Sequence, residues 1–140
     1  MRILTALLLC IALNVAHAQN TPVGLWKTID DNTGQEKSLV RISESGGVLS
    51  GRIDRLLHPS KPNPVCEKCR DDRRGKPMVG LSIIAGVKQH GEVWEDGRIL
   101  DPDNGKIYTL RLRPIDGGKT LEVRGYIGPF FRTQTWMRVE

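Results

Sequence analysis

The stretch Gly97-Arg98-Ile99-Leu100-Asp101-Pro102-Asp103-Asn104-Gly105-Lys106-Ile107-Tyr108-Thr109-Leu110-Arg111-Leu112-Arg113 decides the fold. Two short runs flank a cluster of turn formers, and Tyr108, Leu110 and Leu112 alternate with polar residues in the second. A period of two belongs to a half-buried strand. Asn104-Gly105 tolerates positive φ angles, so it predicts a type I′ turn and a hairpin joining 97–101 to 106–113. Leu121, Val123 and Ile127 carry the pattern into the following run.

Further out, Thr33-Gly34, Gly46-Gly47, Asp96-Gly97 and Asp116-Gly117-Gly118 punctuate similar alternating runs. Strands are expected near 24–29, 37–43, 48–56, 80–85, 92–95, 97–101, 106–113, 120–126 and 133–139, some of which must merge. Ala85 is the only alanine after residue 18, a composition that opposes helix. So many antiparallel strands leave exposed edges unless the sheet closes. The expected fold is therefore all-β: a small antiparallel up-and-down barrel of about eight strands. With 140 residues, 39% of them apolar and many of those in the first eighteen positions, the chain supplies one modest core. A helical bundle and a second domain are excluded on that ground.

The N-terminus is an export signal. Met1-Arg2 gives a basic start, residues 3–13 are almost continuously apolar, and Ala16-His17-Ala18 forms a cleavage site. The apolar run falls short of the roughly 20 residues a membrane-spanning helix needs. Cys10 lies within it and follows Leu9, unlike a lipoprotein acylation site. The expected organisation is a signal peptide over 1–18 and one barrel domain over 19–140, periplasmic or secreted and not integral to a membrane. Export removes nucleic acid as a partner.

Residues 57–79 are the exception to the strand pattern, because Pro59, Pro62, Pro64 and Pro77 prevent regular pairing. Long loops in compact domains are often functional. This one holds Cys66-x-x-Cys69 and the basic residues Lys61, Lys68, Arg70, Arg73, Arg74 and Lys76, interleaved with Glu67, Asp71 and Asp72. The interleaving favours a solvated loop over a charged docking patch. In an oxidising compartment the two cysteines read first as a structural disulfide. A thioredoxin-like role lacks its βαβ setting. Zinc lacks a fourth ligand, since His58 makes only three. No metal or cofactor is implied.

No catalytic constellation is visible. The segment 101–105 has the glycine of a calcium loop one position early, and Leu112 stands where a bidentate Glu belongs. Gly80-Leu81-Ser82 is half a nucleophile elbow, with Ile84 in place of the closing glycine. Asp30-Asp31 and Asp71-Asp72 are neighbours in turns and are not expected to converge on a substrate. An enzyme is the least favoured reading.

The aromatic residues carry more. Gly24-Leu25-Trp26 opens the first strand and Trp136-Met137-Arg138 ends the last, so closure brings them side by side. Gly24 allows close backbone approach, Trp26 and Trp136 seal one end, and the Arg138 guanidinium stacks on indole. Trp94, Tyr126, Phe130 and Phe131 are candidates to line a cavity, with Arg124 or Arg132 orienting an acidic group of a ligand.

Gly24-x-Trp26 and Trp136-x-Arg138 resemble the end-sealing signature of lipocalin-like barrels. Further motifs accompany them: Asp30-Asp31-x-Thr33-Gly34, Cys66-x-x-Cys69, Asp101-Pro102-x-Asn104-Gly105-Lys106-x-Tyr108, Leu121-x-Val123-x-Gly125-Tyr126-x-Gly128 and Arg132-Thr133-Gln134-Thr135-Trp136-x-Arg138. Together these resemble the bacterial domain-of-unknown-function family 2147 over essentially the whole exported chain. The resemblance implies a secreted lipocalin-like barrel and carries no activity with it. The leading expectation is a non-enzymatic carrier for a small apolar or amphipathic molecule. The alternative is a packed barrel that touches an envelope protein or anionic lipid through its 57–79 loop.

Overall fold

The computed structural model describes residues 20–140; the segment read as a signal peptide lies outside the described residues. Eight strands follow one another: β1 (Gly24–Ile29), β2 (Glu36–Ser45), β3 (Val48–Leu56), β4 (Ser82–His90), β5 (Val93–Asp101), β6 (Lys106–Ile115), β7 (Thr120–Ile127) and β8 (Phe130–Arg138). Each pairs antiparallel with the next, and Trp26↔Arg138 and Lys27↔Met137 join β1 to β8, so the sheet closes into a barrel. Inward residues such as Val40, Ile42, Leu49, Val87, Leu110, Leu112 and Leu121 are almost wholly buried.

Three expectations change in detail. The runs 92–95 and 97–101 form one strand, because Asp96-Gly97 is a bulge and not a turn: Asp96 has φ 66 and the register shifts between Trp94 and Gly97. A Cβ on Gly97 would collide with Val87 and sit 2.6 Å from the Ala85 carbonyl oxygen, so the bulge lets β4 and β5 approach closely. Strand β4 runs to His90, further than its polar second half suggested: Lys88, Gln89 and His90 pair with Glu95, Trp94 and Val93 of β5, although over 85–90 only Val87 is buried. The 102–105 turn is not type I′. Gly105 has φ 74 but Asn104 does not take a positive φ, and Gly105 N–H closes a four-residue loop on the Asp101 carbonyl at 2.8 Å. Pro102, with its fixed negative φ, sets a longer turn, and the Asp101 carboxylate accepts the Asp103 N–H at 3.0 Å.

The end of the barrel where the start of β1 meets residues 138–140 is sealed. Trp26 is fully buried, its indole N–H donates to the Pro22 carbonyl at 2.7 Å, and the Arg138 guanidinium lies 4.2 Å from its ring centroid. Arg138 also donates to the carbonyls of Thr21 (2.6 Å), Val23 (2.9 Å) and Gly118 (2.6 Å). Burial pushes its pKa down, though a guanidinium remains charged there. A Cβ on Gly24 would sit 2.5 Å from the Glu140 carbonyl oxygen and 2.6 Å from Arg138 Nη1, so glycine is what lets the start of β1 pass residues 138–140.

The Pro-rich segment between β3 and β4 has an ordered structure without a ladder. Val65 and Pro77 form an isolated bridge, Cys66 N–H bonds to the Lys76 carbonyl and Gly75 N–H to the Cys66 carbonyl, both at 2.8 Å. Cys66 and Cys69 form a disulfide, with Cα atoms 5.6 Å apart, and are buried in one cluster with Leu81 and Leu100. The segment lies against the β5–β6 turn so closely that a Cβ on Gly105 would collide with the Lys68 carbonyl. Glycine at 105 thus serves both the turn and this contact.

Candidate ligand-binding site

At the end opposite the seal, the β1–β2 loop, the segment before β4, the β5–β6 turn and the β7–β8 turn surround an opening. A cavity of about 440 Å³ runs inward from it, within the range of about 300–1,000 Å³ typical of small-molecule sites. Its deeper wall is apolar: Val40, Ile53, Ile83, Val123 and the indole of Trp136, with Leu56 and Ile99 nearer the mouth at the levels of Ser38 and Tyr108. Met78, from the Pro-rich segment, adds a side chain at the rim. Gly125 keeps space for Tyr108, whose Cβ lies 3.1 Å from where a Cβ on 125 would sit.

Polar groups line the cavity toward the mouth. Thr28 and Ser38, both buried and paired across β1 and β2, share a 2.7 Å hydrogen bond between their hydroxyls. Asn104 donates to the Tyr108 hydroxyl at 3.1 Å. From the indole upward, Trp136 N–H donates to Gln134 Oε1 at 3.0 Å, and Gln134 Nε2 donates to Asp31 at 2.6 Å. Arg132, on the same face of β8, bridges Asp31 (3.4 Å) and Asp101 (3.2 Å), with its guanidinium 5.9 Å from the Tyr108 ring centroid.

Lys37 makes a second bridge, pairing with Asp103 and lying 3.9 Å from Asp30. The N–H groups of Thr33 and Asn32 bond to the Asp30 carboxylate at 3.0 and 2.8 Å. With Lys37 nearby, they hold Asp30 below the ordinary carboxylate range, the Thr33 N–H contributing most. The β1–β2 loop and the β5–β6 region are thereby tied together across the mouth by one lysine and one arginine. Four carboxylates, Asp30, Asp31, Asp101 and Asp103, face these two cations.

Of the six residues expected to contact a ligand, only Arg132 lines the cavity. Trp94 is buried and paired with Leu112, outside the cavity lining. Arg124 and Tyr126 lie on the outer face of β7, because Val123 and Gly125 take the inward positions. Phe130 and Phe131 are 78% and 61% exposed. Trp136, expected in the seal with Trp26, instead forms part of the cavity wall.

Sequence reasoning set aside Asp30-Asp31 and the 101–105 segment as separate turns, and barrel closure brings them together. Thr28 and Gln134 did carry a signal. Each stands two residues from an inward tryptophan, so each is a polar group at an inward position. No group of three or more His, Cys, Asp or Glu able to hold a metal occurs among the described residues.

No curated protein matches the chain. Among solved structures, it is similar to the Helicobacter pylori protein HP1028, described as belonging to the lipocalin family. The two share 19% identity and superpose with a TM-score of 0.73 over 84% of this chain and 82% of that one. At that identity the likeness establishes a lipocalin-like barrel and nothing more. A family profile described as an uncharacterised protein conserved in bacteria, DUF2147, matches residues 24–138. That span runs from the glycine that admits the chain crossing to the arginine that caps Trp26, so the chain belongs to the bacterial family DUF2147.

Proposed function

We propose that this protein is an exported, non-enzymatic carrier that holds one small amphipathic molecule in the open half of its barrel. The observation that carries the reading is the cavity of about 440 Å³, apolar in depth and polar at its rim. The apolar body of the ligand packs against Val40, Ile83, Val123 and Trp136. Its polar end meets Thr28, Ser38 and the ion-paired mouth.

The Arg132 guanidinium already bridges two carboxylates. An acidic head group must therefore displace Asp31 or Asp101, whereas a neutral or cationic one adds to a mouth in which carboxylates outnumber cations two to one. Neutral and cationic amphiphiles fit better than fatty acids on that balance. A cavity of this size also favours a carrier over the packed-barrel alternative. The N-terminal apolar run and A-x-A site support export to the periplasm or beyond. No helix among the described residues is long and apolar enough to cross a membrane.

Native mass spectrometry of protein purified from its own compartment tests this reading. A co-purifying small molecule, released on unfolding and retained less well by an Ile83→Trp variant that fills the cavity, is expected. Protein that stays bare after challenge with neutral, cationic and acidic amphiphiles contradicts it.

A further inference from the structure

The β7–β8 hairpin projects beside the cavity mouth, with Gly128-Pro129 at its turn. Around the tip, Ile127, Phe130 and Phe131 are 43%, 78% and 61% exposed. Ile107, outward on β6 because Tyr108 faces the cavity, is exposed as well. Tyr126 and Phe131 pack side by side on the outer face, their centroids 5.8 Å apart.

Behind the tip the outer face is basic. Arg111 and Arg124 stand directly opposite one another in the β6–β7 ladder, an arrangement of like charges that costs stability. Arg124 lies over the Phe131 ring at 4.8 Å and donates to the Thr133 hydroxyl, while neither it nor Arg111 has a carboxylate partner among the described residues. Arg98, which pairs with Thr109 in the next strand, and Lys106 at the start of β6 also lack an ion pair there. Of the acids near this face, Glu122 pairs with Arg113, Asp96 with His90 and Asp101 with Arg132, while Glu95, in the β5 bulge opposite Arg111, forms no ion pair among the described residues.

We infer that this tip is a docking element for an anionic phospholipid surface. Exposed aromatic side chains at the hairpin tip, backed by arginines that have no carboxylate partner among the described residues, match the two halves of a lipid–water interface: acyl and glycerol groups at the tip, phosphates behind it. A protein partner fits less well. The three tip side chains offer on the order of 400 Å², about half of what one partner buries in a stable interface. Docking here sets the mouth beside the headgroups, since Arg132, two residues past Phe130, lines the cavity. The docking surface lies outside the cavity and stands independently of what the cavity holds.

The test is vesicle flotation of the purified protein, with phosphatidylcholine alone or mixed with phosphatidylglycerol. Binding to the mixed vesicles only, weakened by salt, is expected. The double variant Phe130→Ser/Phe131→Ser should weaken it about tenfold or more, and each of Arg111→Gln and Arg124→Gln about fivefold. Reversing Arg70 and Arg74 in the 57–79 loop should change it little, and the melting temperature of every variant is checked alongside.

Three results each overturn the inference: no binding to either vesicle, binding indifferent to phosphatidylglycerol, or a phenylalanine double variant that binds as well as the parent. So does a dimer of the parent that the phenylalanine variant dissolves. Uptake of an apolar probe by the same variant should be unchanged, which separates failure of docking from failure of the carrier reading.

Discussion

The two ends of the barrel are built from the same strands and differ in what fills them. At the sealed end, Trp26, Leu110, Leu112 and Leu121 leave no room, and Arg138 satisfies three backbone carbonyls while covering the indole. At the open end, the inward positions of the same strands hold Thr28, Ser38, Gln134, Tyr108 and Arg132 around empty volume. The contrast separates stability from function along one axis. Close packing gives stability at the seal, and its absence makes room for a ligand at the mouth.

The largest effect should come from breaking the seal. Trp26→Ala removes a fully buried indole and should cost about 3–5 kcal/mol in urea denaturation. Arg138→Met, which leaves the carbonyls of Thr21, Val23 and Gly118 without their donor, should cost about 2–3 kcal/mol. If either variant unfolds at the parent's midpoint, the seal is not where the stability lies.

The disulfide should matter less. It closes a loop between residues three apart, so Cys66→Ala/Cys69→Ala removes about 2 kcal/mol on chain-entropy grounds. Most of that loss should appear as faster proteolysis of 57–79 and not as loss of the barrel. At the mouth, Arg132→Gln should change stability by about 1 kcal/mol or less, as exposed ion pairs do, yet speed ligand release in stopped-flow measurements because the bridge from Asp31 to Asp101 is gone.

The smallest effect is one of pH. Asp71 is lowered from 3.8 to about 2 by its side-chain bonds to Arg73, then by the Arg73 backbone N–H. A depressed carboxylate stabilises the folded form fully above its ordinary pKa, and that contribution fades as pH falls through the folded value. The Pro-rich segment, whose Arg73 also donates to the Ser82 carbonyl at 2.9 Å, should therefore loosen between about pH 4 and 2. Hydrogen exchange of 66–76 should show this window in the parent and lose it in Asp71→Asn.

The sealed end was more legible in the sequence than the open one. Gly24, Trp26 and Arg138 lie on strands paired by closure, and a period of two with one glycine and one large ring suffices to place them. The mouth residues come from loops far apart in sequence, so their meeting depends on the closed ring and on turn geometry that dipeptides do not settle. Asp101 and Asp31 are joined only through Arg132 on a third element. The aromatic candidates were displaced for a related reason. Phe131 and Tyr126 are hydrophobic but fall on the outward parity of their strands, and counting that parity from Trp136 and Val123 would have put them outside.

Energy transfer from Trp136 to an apolar fluorescent probe tests the hollow barrel most directly, because that indole lines the cavity while Trp26 is sealed beneath it. Saturable one-to-one transfer is predicted, lowered in Trp136→Phe to the share that Trp26 and Trp94 supply from the same core and abolished when Ile83→Trp fills the cavity. Transfer that is absent, that never saturates, or that is as strong and as saturable in Ile83→Trp would mean the probe sits elsewhere and that the open half of the barrel holds no ligand.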